Sequence, residues 1–177
     1  MRMCVGFVAM VAFFGCASAP PADEMLSEAA ALLSRGSYAD AAATYERFAE
    51  LYPKHPERKN ALLKAAQARI KQGRWKLAYQ DFQTLTEDYP MTQEAQNALS
   101  EMFRIAEAFI EGRTEPSPIL PFLHFTSQEW GAERLYELAQ KYACLPQAPV
   151  ALLKVGVYRM ECGDWEGALD AFDKVLI

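Results

Sequence analysis

The chain has 177 residues, 51% of them apolar, and a formal net charge of -5. That length and apolar content support one domain or one continuous stack with a sizeable core, and exclude disorder over most of the chain. The acidic balance removes the attraction to phosphate that nucleic-acid binding needs, so no nucleic-acid partner is expected.

Met1 and Arg2 form a minimal basic start, residues 3–14 an apolar run, and Gly15-Cys16-Ala17-Ser18-Ala19-Pro20-Pro21 follows, the layout of a bacterial export signal. The run is too short to span a bilayer comfortably. Two cleavage sites compete. Ala17-Ser18-Ala19 fits the small-x-small pattern, although Pro20 directly after it disfavours that cut. Phe13-Phe14-Gly15-Cys16 resembles a lipobox, which would make residues 1–15 the signal peptide and Cys16 the lipidated first residue of a tether over 16–23. Phe13 and Phe14 depart from the leucine and small residue usual there. Ala17, in place of Asp, follows the cysteine, which by resemblance to enterobacterial lipoprotein sorting implies delivery to the outer membrane; the expected location is lipid-anchored on its periplasmic side. The other reading is a secreted protein with Cys16 discarded.

Helix signals begin at Asp23 or Glu24, acidic residues that suit a helix N-terminus. The first hairpin reads Glu24 to Arg35, a turn at Gly36-Ser37, and Tyr38 to Leu51, closed by Tyr52-Pro53. The second runs from Arg58 to Tyr89 around Gly73. In the third, a helix from Thr92 to Glu111 is followed by an interruption over 112–127, and Ala132, Tyr136 and Ala139 mark its second helix. The fourth begins near Pro149 and turns at Gly163. Its end at Val175-Leu176-Ile177 reads as an incomplete unit, because a solenoid needs a polar cap. Cys144 and Cys162 are expected too far apart for a disulfide and are read as buried small apolar residues. His55 and His124 have no ligand-spaced companions, so neither metal nor cofactor is expected.

Three units share one spacing: Gly36-x-Tyr38-x-x-Ala41-x-x-x-Tyr45, Gly73-x-Trp75-x-x-Ala78-x-x-x-Phe82 and Gly163-x-Trp165-x-x-Ala168-x-x-x-Phe172. A glycine hinge, an aromatic, a small residue and a second aromatic describe two close antiparallel helices that stack on the next pair. Trp75 and Trp165 are assigned to interhelix packing and Trp130 to the core. Arg69 is expected to lay its stem on the core with its charge outside.

With these repeats and Tyr-Pro at 52–53 and 89–90, the chain resembles tetratricopeptide-repeat proteins. The resemblance implies an all-α, right-handed superhelical solenoid of about four helix hairpins over 24–177 (24–53, 58–90, 92–146 with the insert 112–127, and 149–177), the last one incomplete. The lipobox-like Cys16, the sequence Tyr45-x-x-Phe48-x-x-x-Tyr52-Pro53-x-His55-Pro56 and the insert are together similar to the BamD-type (YfiO-type) outer-membrane assembly lipoproteins. That family implies a lipid-anchored scaffold of the outer-membrane β-barrel assembly machinery, with a β-barrel insertase and unfolded outer-membrane proteins as partners. Family members carry five repeats, so the surface that docks the insertase is incomplete or missing in this sequence. A scaffold for pilus biogenesis or cell-envelope division is the alternative, and copurified partners distinguish the two.

On that geometry the concave face of the second unit carries Asn60, Leu63, Lys64, Gln67 and Lys71, whose spacing puts them on one helix face. Leu26, Leu33, Leu63 and Ile70 add apolar surface for an extended segment, unless the N-terminal tether covers them. Between Lys54 and Lys76 eight bases stand against the single acid Glu57, and residues 77–133 are strongly acidic. Either a basic groove wall receives a carboxylate-ended peptide, or Glu94 and Glu101 of the next helix balance Lys64 and Lys71. The chaperone-type carboxylate clamp is not reproduced, because Leu26 and Ala30 stand where Lys and Asn would be needed. The insert, with Phe122 and Phe125, is either a docking loop or a cover over its own repeat. No nucleophile with a base, paired catalytic carboxylates or phosphate loop is present in the pattern, so no enzyme is expected.

Overall fold

The computed structural model describes residues 20–116 and 124–176. The leader, Cys16 and Phe122 lie outside the described residues. Among the described residues eight α-helices follow one another: α1 (Ala22–Ser34), α2 (Tyr38–Leu51), α3 (Arg58–Gln72), α4 (Trp75–Asp88), α5 (Gln93–Ile110), α6 (Gln128–Lys141), α7 (Gln147–Glu161) and α8 (Trp165–Asp173). A 3-10 turn, Lys174–Leu176, follows α8, and two short strands, β1 (Thr114–Pro116) and β2 (His124–Thr126), interrupt the third hairpin. Each helix packs on its neighbours in the chain, and α3 and α5, like α5 and α7, also touch directly. This is the nearest-neighbour architecture of a tetratricopeptide-like solenoid.

The same local chemistry ends the first helix of every hairpin. Gly73 sits at φ 79°, and its N–H and that of Arg74 return to the Ile70 and Arg69 carbonyls at 3.0 and 2.8 Å. Gly36, Gly112 and Gly163 adopt the same left-handed conformation, which only glycine reaches without steric cost. α1 begins at Ala22, two residues before Glu24, and the Pro20 carbonyl accepts the Tyr52 hydroxyl. The tether is thus fastened at Pro20 to the residue that ends α2. α7 begins at Gln147, because Pro149 falls in its first turn, where no backbone N–H is required.

The layer between helices alternates alanines with large side chains. Ala41, Ala65, Ala78, Ala98 and Ala106 are fully buried, and so are Tyr45, Phe48, Phe82 and Phe109. Close helix approach at the alanines leaves volume that the aromatics fill. In the third hairpin the small position is Gly131, not Ala132. A Cβ on Gly131 would stand 2.7 Å from the Ala106 carbonyl oxygen and from Phe109 Cβ, so α5 and α6 approach more closely than an alanine permits. Leu135, fully buried, takes the place of the second aromatic; Tyr136 is turned outward to Asp170 and Lys174.

Four further expectations are corrected. Cys144 and Cys162 are free and exposed, because one lies in the turn after α6 and the other caps α7, both beyond the interhelix layer. Trp75 packs against the core under the guanidinium groups of Arg104 and Arg113, whereas Trp165 is 69% exposed. Among the described residues nothing stands over Trp165 as α5 stands over Trp75. The charge of Arg69 lies inside, between Asp81 and Glu46. Glu94 pairs with Lys59 and Glu101 with Arg104, in place of the expected Lys64 and Lys71.

The described part of the insert reaches the turn of the preceding hairpin. β1 and β2 pair antiparallel, with Glu115 opposite Phe125. Arg74 donates to the Pro116 carbonyl at 2.8 Å, and Glu115 accepts from the Lys76 backbone N–H at 3.2 Å. α4 has no side-chain cap of its own, so the ribbon supplies an acceptor for one of its orphan donors.

Candidate functional site: a groove between the first helices of three hairpins

A concavity of about 700 Å³ lies where α1, α3 and α5 line up, with Tyr38 and Phe82 contributed by α2 and α4. Leu33, Leu63, Ile70 and Phe82 give it an apolar wall, and Gln67, Asn97 and Ser100 supply hydrogen-bonding groups. Three charges stand in it: Lys71, Glu101 and Arg104. Arg104 donates to Glu101 through Nε at 3.0 Å, which neutralises that pair. Lys71 makes no ion pair within 4 Å among the described residues. An apolar wall with one uncompensated cation can accept an apolar segment carrying a negative group.

Of the residues read from the sequence, Leu63, Gln67 and Lys71 line this groove. Asn60 is turned to Glu57, donating at 2.9 Å, and the Lys64 ammonium lies 5.6 Å from the centre of the Tyr45 ring. Neither lines the groove. Leu33 and Ile70 line it as expected of apolar concave residues, whereas Leu26 packs on the core cluster of α1 and α2. Phe125 lies in β2, on the ribbon.

The α5 wall was missed. Asn97, Ser100, Glu101 and Arg104 repeat the spacing of Asn60, Leu63, Lys64 and Gln67 on α3, and that shared helical face was the available signal. Its acidic neighbours had suggested simple charge balance. Of the eight bases in 54–76, three are in ion pairs among the described residues: Arg58 with Asp88 at 2.6 Å, Lys59 with Glu94 at 2.9 Å and Arg69 with Asp81 at 2.9 Å.

Behind the groove, Arg69 joins three helices. Its guanidinium donates to Asp81 Oδ1 at 2.9 Å and to the Leu77 carbonyl at 3.1 Å, and it faces the Glu46 carboxylate. Burial pushes the Asp81 carboxyl up to about 7, against the opposing pull of Arg69, and raises that of Glu46 as well. Among the described residues no cluster of three His, Cys, Asp or Glu side chains could hold a metal ion.

The family model described as outer membrane lipoprotein, YfiO, matches residues 17–155. The chain belongs to the YfiO family. No curated protein matches it significantly. The YfiO match begins one residue after Cys16, includes the whole groove and ends within α7, so α8 lies beyond it. No helix among the described residues is long and apolar enough to cross a membrane.

Proposed function

We propose that this outer-membrane lipoprotein is a periplasm-facing scaffold of the β-barrel assembly machinery, held by a lipid on Cys16. Its groove between α1, α3 and α5 receives an extended, aromatic-ended segment of an unfolded outer-membrane protein. Membership of the YfiO family supports the setting. The observation that carries the ligand class is the pairing of an apolar wall with Lys71, the groove cation outside any ion pair among the described residues. Leu33, Leu63 and Ile70 would take the apolar side chains. Lys71 would meet the terminal carboxylate, and Gln67, Asn97 and Ser100 the peptide groups.

Fluorescence anisotropy with a labelled peptide ending in phenylalanine tests this. Amidating its C-terminus and substituting Lys71→Ala should each weaken binding about tenfold, and together little more, because both remove the same contact. Leu63→Asp should abolish binding. Equal affinity for acid and amide, or full binding by Leu63→Asp, would move the site elsewhere. For the anchor, Cys16→Ala should leave the chain out of the membrane fraction; lipid-labelled, membrane-bound Cys16→Ala protein would refute it.

A further inference from the structure

Among the described residues, five of the eight bases in 54–76 stay outside ion pairs, and three of them, Lys71, Arg74 and Lys76, gather where α3 turns into α4. Arg113, just before β1, joins them. Its guanidinium lies 4.1 Å from the centre of the Trp75 ring, and that of Arg104 5.9 Å from the same ring. Glu101 neutralises Arg104, but Lys71, Arg74, Lys76 and Arg113 meet no carboxylate within 4 Å among the described residues. Residues 1–19 and 117–123 contain no Asp or Glu and cannot supply one. Of the acids nearby, Glu111 is held by Lys154 at 3.0 Å and Glu115 accepts from the Lys76 backbone.

Neutral partners hold this rim in place. Arg74 donates through one guanidinium nitrogen to the Pro116 carbonyl at 2.8 Å. Lys76 donates to the Ser127 hydroxyl at 2.7 Å, with its ammonium 5.3 Å from the Trp130 ring centre. A guanidinium resting on an aromatic ring, as that of Arg113 rests on Trp75, still presents its N–H edge to a carboxylate. Cations ordered in this way keep their charge and lose little freedom on binding. Lys71 is exposed, and Arg74 and Arg113 are half-buried.

We propose that the rim docks an acidic segment of a partner protein, which sets Asp or Glu side chains against Arg74 and Arg113 in the field of Lys71 and Lys76. The chain as a whole stands at -5, so a local cluster of cations draws an acidic partner to this edge while the rest of the surface repels it. A phospholipid surface is the poorer occupant. Pro20 is fastened to Tyr52 at the opposite edge, where α2 ends and α3 begins. The 15 residues of α3 set the two edges roughly 22 Å apart. With the lipid on Cys16 as proposed above, only four residues from Pro20, the membrane lies nearest the edge away from the rim. The contact is distinct from the one proposed for the groove, because side-chain carboxylates are read and no free C-terminus is needed.

Fluorescence anisotropy tests this with a labelled, C-terminally amidated peptide of alternating glutamate and serine, and with glutamine in place of glutamate as the control. The parent protein should bind the glutamate peptide about tenfold more tightly than the control, and added salt should narrow the difference. Arg74→Gln with Arg113→Gln should remove the preference, Arg74→Lys with Arg113→Lys should keep most of it, and circular dichroism should show the parent's helix content in both. The phenylalanine-ended groove peptide should bind the glutamine variant within roughly threefold of the parent. In the full lipoprotein in its own membranes, a photo-crosslinking amino acid at position 72, the exposed last residue of α3, should capture a segment of another protein rich in Asp and Glu. Equal binding of the two peptides, a preference that survives in the glutamine variant, parallel loss of the groove peptide, or adducts only with lipid or with this chain would each overturn it.

Discussion

The guanidinium of Arg69 on α3 bonds Asp81 on α4 at 2.9 Å while facing Glu46 on α2, so a single cation closes the seam between the first two hairpins. Asp81 is only 7% exposed. Removing the cation strands its carboxylate in a poorly solvated place. Arg69→Ala should therefore cost ~2 to 4 kcal/mol, below the full figure for a buried pair because Glu46 is partly solvated. Arg69→Met combined with Glu46→Gln and Asp81→Asn should recover most of that loss, since no charge remains stranded. Urea denaturation compares them; equal midpoints for the single and triple variants would contradict the network.

The same carboxylate makes stability depend on pH. Burial raises Asp81 from 3.8 to about 7 in the folded chain, and Glu46 shifts in the same direction. Between about pH 4 and about pH 7 the folded state thus holds a proton that the unfolded state has released, and stability falls as pH rises through that window. Asp81→Asn should flatten this part of the profile. Urea midpoints measured across the window check it, and a parent protein that gains stability with rising pH through an Asp81-dependent step would reverse the assigned direction.

Gly131 sits where α5 and α6 cross, and its missing side chain would meet the backbone of Ala106. Backbone cannot swing aside as a side-chain tip can. Gly131→Ala should lower stability by ~1 to 3 kcal/mol through overpacking, despite the higher helix propensity of alanine. A thermal melt at or above that of the parent would show that the two helices separate without cost.

Glu115 reaches from the ribbon to the backbone N–H of Lys76 at 3.2 Å. Glu115→Ala should cost ~0.5 to 1.5 kcal/mol, the range for losing a helix-capping acceptor. It should also raise amide exchange at the start of α4 before it affects the middle of that helix. Unchanged exchange at residues 75–78 would show that the ribbon contributes no cap.

The repeat was legible because its parts act locally. Gly36, Gly73 and Gly163 end helices through their own backbone freedom, and Ala41, Ala78 and Ala168 mark close approach wherever they recur. Unit three hid its register, because Gly131 and Leu135 keep the size relation of the small and large positions while abandoning the residue types. Three of the five α3 residues proposed from the sequence do line the groove. Asn60 and Lys64 do not, because long or polar side chains on one helical face choose among several neighbours, here Glu57 and Tyr45.

By itself, then, the sequence determined the helix hairpins, their hinges and their order, since each is set by residues within a few positions of one another. Tertiary structure alone decided that α5 supplies the far wall of the groove, that Arg69 turns its charge inward, and that Trp165 stands open where Trp75 is covered. Those outcomes depend on which side chains from separate hairpins arrive at the same place, and on the burial found there, quantities that no local spacing encodes.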